Sequence, residues 1–421
     1  MKGYSESMEY LSGLERSGII FGLDNIKWIL ESIGNPQNRL RCVHVAGTNG
    51  KGSVSTMLSF ILRESGYRVG KYTSPHLIMF NERIAVDEEE IGDKDIDEIT
   101  DFIRGRIEKR DVKRQFSYFD FTTAIAFEYF YRRDVDIAII EVGLGGRLDS
   151  TNVILPLVSI ITNVGLDHLE YLGGNLASVA MEKSGIIKEH IPVVTGAENE
   201  ALSVVEKTAK KMSSPLYILG RDFYYRKQKE QVIDYRGCKK TLNNVYINLM
   251  GDHQLSNASI ALCATEIMSE CGFEVPEKAI YSGLAHIKWP GRLEVARQNP
   301  TIILDGAHNL HAVIALSRFI KARYSNQRKI LIFGVLSDKD YEGMLRELIP
   351  IMDIVIFTKP DTIRALSPYS MAHLLDKCII SEDVRSALDI AREMSRKDDI
   401  ILITGSLYTV GEAKKLIDEV F

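Results

Sequence analysis

The chain has no basic excess. Its 52 Lys and Arg stand against 57 Asp and Glu, for a net charge of −5. That removes the reason to expect nucleic acid, which calls for a basic patch. No apolar run approaches the roughly 18 residues of a membrane span. The opening residues MKGYSESMEY hold no apolar secretory core, so a cytoplasmic protein is expected. Cysteine is scarce: Cys42, Cys238, Cys263, Cys271 and Cys378 are scattered, odd in number and without a CxxC pair. Their spacing argues against a disulfide framework or zinc site and fits reduced thiols. Internal repeats and low-complexity tracts are also missing. What is left is an ordinary globular composition, 45% hydrophobic and 26% charged. A length of 421 residues suggests two or three domains.

The stretch with most chemical content is VHVAGTNGKGSVSTMLSFIL, residues 43–62. Val43 to Ala46 reads as a buried strand. A glycine-rich turn follows, and then Val54, Met57, Leu58, Ile61 and Leu62 recur at helical spacing. Strand, glycine turn and helix start together make an anion cradle, because backbone N–H groups and the positive helix end face the same point. Lys51 can reach outer phosphates and the Ser53 hydroxyl suits Mg²⁺. The fit to GxxxxGK[ST] is imperfect: Val45 stands at the first glycine, and Gly52 separates Lys51 from Ser53. A merely tight strand–helix turn is the plainer alternative.

Further along, residues 5–34 read as helical with a break at Gly18-Ile19-Ile20-Phe21-Gly22, and Asp24 is the expected cap of the second helix. The apolar triplet is either a core plug or a wall of an apolar pocket. A strand ends near Thr73, before Ser74 and Pro75. Residues 87–114 suggest a solvated helix and loop. Residues 116–131, FSYFDFTTAIAFEYFY, suggest a buried helix whose start, Ser117-Tyr118-Phe119-Asp120, either packs or presents a ring to a flat heteroaromatic ligand. Apolar runs Val135–Ile140 and Val158–Val164 end in Glu141 and in Gly165-Leu166-Asp167-His168. Continuous apolar strands alternating with helices indicate a parallel sheet covered on both faces. The glycine turn, Ser74, Glu141 and His168 all follow carboxyl ends of such strands, where open α/β sheets bind ligands.

Residues 221–250 suggest a short β excursion and 251–271 a helix. Trp289-Pro290-Gly291-Arg292 punctuates like a hinge. Beyond it, strands are expected at 301–304, 329–334, 353–358 and 399–404. The expected architecture is α/β: a P-loop-type, mostly parallel sheet domain over 1–293 and a smaller Rossmann-like α/β domain over 298–421.

Several side chains admit two readings. Glu141 needs a partner, either a cation or cap of the fold or a Mg²⁺ ion. His168 alone would be a hydrogen-bonded structural histidine. Lys183 is a solvated helix lysine, or, if it faces the crevice, an amine able to take up CO₂ as a carbamate. Asn257 could match an adenine edge, and Arg292 a phosphate. Thr358-Lys359-Pro360-Asp361 mimics the guanine-reading loop of GTPases but lies in what reads as another domain.

Taken together, FGLDNIKWILESIGNP, GTNGKGS, TSPHL, NERI, EVGLGGRLDSTN, DHLEYLG, EKSGIIK, GDHQLSNA, WPGRLE, LDGAHN, GVLSDKD and TGSLYTVGE resemble the folylpolyglutamate synthase/dihydrofolate synthase family of the Mur ligase superfamily, in order and spacing. The resemblance implies that Thr48, Asn49, Gly50, Lys51, Gly52 and Ser53 hold ATP phosphates, with Asn257, Arg292 and Asp305 completing the nucleotide site. It implies Mg²⁺, as two ions, near Ser53, Ser74, Glu141, His168 and a carbamylated Lys183, with a monovalent cation as a further option. A pteroate or folate is expected near Ile20, Phe21, Ser117–Asp120, Leu148, Asp149 and Ser150. Glutamate is expected near His308 and Ser406, and Lys51, Lys183 and His308 are the expected catalytic residues. The chain departs from the family's habit at Leu310, where proline is common, and at Ser150 and Ser184, where alanine is common.

The implied reaction is ATP-dependent amide formation through an acyl phosphate, releasing ADP and phosphate, with domain closure about residues 289–298 excluding water. The implied protein is a monomer acting on small molecules, without nucleic acid or membrane. A cell-wall amino-acid ligase would need a UDP-sugar domain, for which the stretch before the glycine turn is too short. A nucleotide-dependent binding switch would bind nucleotide without glutamate-dependent turnover.

Overall fold

The computed structural model describes residues 2–15, 18, 20–110 and 114–421. Ile19, part of the expected apolar plug, and residues 111–113 of the expected charged loop lie outside them.

Two β-sheets organise two units. The first unit takes in the chain up to His76, Phe80–Asn248 and Leu255–Ile287; the second takes in Leu77–Met79, Leu249–Gln254 and Lys288–Phe421. The second unit therefore begins earlier than the expected domain limit. The expected linker contains the edge strand Glu294–Arg297, antiparallel to the strand Thr301–Leu304.

The first unit's main sheet comprises β1 (Cys42–Ala46), β2 (Val69–Tyr72), β3 (Ile84–Val86), β4 (Glu89–Glu90), β5 (Ile137–Glu141), β6 (Val158–Ile161), β7 (Val193–Thr195) and β8 (Leu216–Ile218). Their order is β4-β3-β2-β5-β1-β6-β7-β8, with β3 and β4 antiparallel and the others parallel. β1, β2, β5 and β6 are buried along their whole length, because helices cover both faces of a parallel sheet. Cys42, Tyr72, Ala138 and Ile140 belong to one core, and Ala46, Ile161 and Val193 belong to another. The expected β excursion is a separate antiparallel sheet of β9 (Tyr224–Lys229), β10 (Val232–Arg236) and β11 (Thr241–Tyr246).

The second unit's sheet runs β12-β13-β17-β14-β15-β16, from β12 (Glu294–Arg297), β13 (Thr301–Leu304), β14 (Lys329–Phe333), β15 (Ile354–Phe357), β16 (Ile379–Ile380) and β17 (Ile400–Thr404). All four expected strands are present, and all but the edge pairing of β12 is parallel. Thr358-Lys359-Pro360-Asp361 follows β15 in this unit, whereas the glycine turn belongs to the first. The GTPase-like stretch and the glycine turn therefore lie in different units.

Three local expectations are corrected. Asp24 is the first residue of the helix Asp24–Ser32, and Leu23 takes the cap position without a side-chain bond. The helix Asp93–Glu108 is not wholly solvated, for Ile96, Ile99, Ile103 and Ile107 are buried. β6 stops at Ile161, short of Val164, because Thr162 and Asn163 turn their polar groups to the glycine turn.

Candidate active site

β1 runs into Gly47, and the helix Lys51–Glu64 starts four residues later, with Gly50 at its cap. The turn is tied down by β6's continuation. Thr48 N–H donates to Asn163 O at 3.0 Å, and Asn49 N–H donates to Asn163 Oδ1 at 2.9 Å. Thr162 Oγ1 donates to Asn49 O at 2.6 Å. Thr48 Oγ1 donates to Gly165 O at 3.0 Å and accepts from Gly165 N–H at 2.9 Å. Gly50 has φ +83, and a Cβ there would fall 2.4 Å from Asn257 Oδ1. A side chain at position 50 is thus excluded twice, by backbone hand and by space. The same contact places Asn257 beside the turn, as expected.

Two lysines converge on one carbonyl. Lys51 Nζ donates to Gly47 O at 3.2 Å and to Thr48 O at 3.3 Å. Lys183 Nζ, on the helix Leu176–Ser184, donates to Gly47 O at 3.0 Å. Lys183 is buried, so the solvated reading fails. Burial first, and then Lys51, push its ammonium down to about 7, against Asp167 and Asp149. At neutral pH much of this amine is uncharged.

Glu141 closes β5, buried, and accepts from Ser74 N–H at 3.2 Å. His168 has a left-handed backbone, φ 50, and its N–H donates to Asp167 Oδ1 at 2.9 Å. Among the described residues no group of three or more His, Cys, Asp or Glu side chains is placed to hold a metal by itself.

Asp120 and Ser117 form a capping box on the helix Tyr118–Arg132: Ser117 Oγ accepts from Asp120 N–H at 3.0 Å, and Ser117 N–H donates to Asp120 Oδ2 at 3.1 Å. Ser150 Oγ donates to Asp120 Oδ1 at 2.7 Å. These three expected substrate residues thus have a structural task, binding the helix start to the loop after β5. Of the expected rings, Phe119 lies 6.0 Å from Tyr72, stacked, and Tyr118 lies 5.3 Å beneath Arg83. Asp149 accepts from Leu144 N–H at 2.8 Å and from Thr151 N–H at 3.0 Å. Burial pushes its carboxyl up in spite of these bonds. Leu148 is half-buried beside it. Phe21 is no core plug: it is 45% exposed and pairs with Tyr171, 44% exposed, at 5.9 Å between ring centroids.

The second unit groups the others. Asp305 follows β13, accepts from Leu293 N–H at 2.9 Å and from Ala307 N–H at 3.0 Å, and is buried. Burial raises its carboxyl, while Arg292 and His253 pull it down. Arg292 Nη1 would stand 2.4 Å from a Cβ on Gly306. His308 Nδ1 bonds Gly306 O at 2.8 Å. Ser406 caps the helix Leu407–Val420, its Oγ accepting from Thr409 N–H at 3.1 Å. β13 and β17 are direct neighbours, so His308 and Ser406 follow adjacent strand ends. Sequence reasoning assigned no role to Thr162, Asn163, Asp167, Tyr171 or His253. Thr162 and Asn163 fall inside the expected strand Val158–Val164, which hides their part in the turn.

A strand–glycine turn–helix cradle with lysines at a parallel sheet's carboxyl edge fits an anion-binding site of an α/β protein, and the family matches make the class an ATP-dependent ligase. Residues 45–265 match the model described as "Mur ligase middle domain", and residues 291–407 match "Mur ligase, glutamate ligase domain". The chain is 35% identical to the dihydrofolate synthase/folylpolyglutamate synthase of Bacillus subtilis, over 98% of each. It is 36% identical to the folylpolyglutamate synthase of Lacticaseibacillus casei, again over 98% of each. Among solved structures, Escherichia coli FolC in complex with DHPP and ADP superposes with a TM-score of 0.91 at 30% identity, over 99% of this chain and 98% of that one. The folylpolyglutamate synthase of Thermotoga maritima gives 0.86 at 37% identity, over 99% and 96%. The chain belongs to the folylpolyglutamate synthase/dihydrofolate synthase family of Mur ligases. Among the described residues no helix is long and apolar enough to cross a membrane.

Proposed function

We propose that this chain joins L-glutamate to the carboxylate of dihydropteroate or of a (tetrahydro)folate, consuming ATP and releasing ADP and phosphate. The observation that carries the reading is the Gly47–Ser53 turn, with Lys51 and Lys183 on one carbonyl, in a chain matched end to end by ligases of this activity. The substrate carboxylate attacks the γ-phosphorus, the bond to ADP breaks, and an acyl phosphate forms. The glutamate amine then attacks the acyl carbon and phosphate leaves. The protein contributes positioning and charge compensation.

Thr48–Ser53 and Asn257 would hold the nucleotide in the first unit; Arg292 and Asp305 are assigned to it in the second. Phe21 with Ile20, Tyr118, Phe119, Leu148 and Asp149 would wall the pteroate. His308 and Ser406 are assigned to glutamate. The Gly306 carbonyl can only accept, so His308 carries its proton on Nδ1. Nε2 is then the ring's acceptor for a proton from the amine.

The donors fit Mg²⁺, which takes one or two carboxylates together with phosphate oxygens and water. Glu141 offers a carboxylate, and Ser53, Ser74 and His168 are the neighbours assigned to it. Lys183 as a carbamate would supply a second anion and support a second ion; its buried, weakly basic amine suits CO₂ uptake. Bound there, Mg²⁺ would offset charge on the phosphates. The test is to offer the purified protein ATP, glutamate and either dihydropteroate or tetrahydrofolate and to weigh the products. A mass gain of one glutamyl residue with matching ADP is expected. ADP formation indifferent to glutamate and pteroate would overturn the reading.

A further inference from the structure

A buried polar chain lies between the phosphate turn and the loop after β5, and none of the roles assigned above uses its first member. His44 stands in the middle of β1, fully buried, paired with Ile140 of β5 on one side and Ser159 of β6 on the other. Its Nε2 lies 2.9 Å from Thr151 Oγ1. Thr151 Oγ1 in turn donates to Asp149 Oδ1. Asp149 closes the chain on Leu144 N–H. We infer that His44 is a positioning residue, which through Thr151 locks Asp149 and the loop 143–149 to the strand that carries the phosphate turn.

The direction of every hydrogen follows from the acceptors. An ionised Asp149 only accepts, so the Thr151 hydroxyl proton is committed to it. Thr151 Oγ1 must then accept from His44, which fixes the proton on Nε2. Nδ1 has no partner among the described residues. A protonated ring would bury an N–H with nothing to bond, so the imidazole stays neutral. Burial, and the ammonium of Lys188 held 3.2 Å from Asn152 O, push it down to about 3.

The consequence for turnover rests on the ligase reading above; the tautomer does not. β1 ends at the donor of the phosphoryl group, and Asp149 sits in the loop assigned to its acceptor. Slack between the two lengthens the reacting distance without touching nucleotide contacts, so kcat falls while nucleotide binding is spared.

The test uses the full chain in two arms. Long-range ¹H–¹⁵N spectra of ¹⁵N-histidine protein, with His44 assigned by its loss in His44→Gln, should show an Nε2–H ring that does not titrate from pH 8 to 5.5. In kinetics, His44→Gln keeps a donor at the same reach and should hold kcat within about threefold. His44→Leu and Thr151→Val should each lose roughly 10- to 100-fold in kcat, with KM for ATP unchanged, and the double variant should lose no more than either. An Nδ1–H ring, titration near the usual value, equal losses in Gln and Leu, or multiplying losses would each overturn the inference. If a variant fails to fold, the spectra of the unaltered chain decide. A wild-type chain inactive on pteroate and folate would sink the ligase reading and leave the tautomer standing.

Discussion

Lys183 Nζ lies 3.0 Å from the carbonyl oxygen of Gly47, a residue 136 positions earlier in the chain. Lys51 Nζ reaches the same oxygen at 3.2 Å. Two amines thus share one acceptor, and burial and then Lys51 push the Lys183 amine down to about 7, against Asp167 and Asp149. Such a site is costly to fold and, on the reading proposed above, useful as a carbamate that holds Mg²⁺.

The cost and the use separate in one substitution. Lys183→Met should leave the melting temperature unchanged or raised, since a buried, desolvated amine is removed. ADP release should fall by about 100-fold or more. In Lys183→Ala, added acetate or formate should restore part of the activity by standing in for the proposed carbamate. Calorimetry and a coupled ADP assay read the two effects.

Gly50→Ala should both destabilise and weaken nucleotide binding. The left-handed backbone alone costs about 1–2 kcal/mol, and the new methyl meets Asn257 Oδ1. Titration calorimetry with ADP and a thermal melt check the pair. An alanine variant with native affinity would show that Asn257 moves aside freely.

The capping box predicts a graded loss. Ser117→Ala removes one cap acceptor and should cost about 1 kcal/mol. Asp120→Ala also leaves the Ser117 and Ser150 hydroxyls without their buried acceptor, and should cost about 2–4 kcal/mol. Urea midpoints measure both, and the order of the two matters more than either size.

Burial pushes the Cys42 thiol from 9.0 up to about 12. The stability this thiol contributes is full below pH 9 and is lost as pH rises towards 12, because the unfolded chain gives up the proton first. At pH 8 alkylation should reach exposed Cys238 and Cys271. Cys42 and Cys263 should react only after denaturant is added. Peptide mass mapping reports each site.

Much of this architecture was legible because its signals are local. CVHVA, IAIIE and IILIT announce buried parallel strands, and GTNGKGS announces a turn between strand and helix. Contacts between distant strand ends have no such local mark. Asn163 and Thr162 hold the glycine turn across more than a hundred residues, and Asp167 acts on Lys183 through space. The Ser117–Asp120 spacing is itself a capping signature, and the sequence reading leaves that stretch open between packing and a ligand. Asp24 was misjudged by one position, since an acidic residue suits both a cap and a first turn. The edge strand Glu294–Arg297 looked like a linker because half-exposed pairing leaves no continuous apolar run.

The large sheet ends at β4 in two residues, Glu89 and Glu90, both exposed. An open strand margin invites other chains to add on, and proteins commonly blunt it by brevity or charge. Here both devices coincide. A neighbouring molecule seeking to extend the sheet would find almost no backbone to grip and two negative charges in its way, so crowding should not turn this fold into a seed for fibrils on that side.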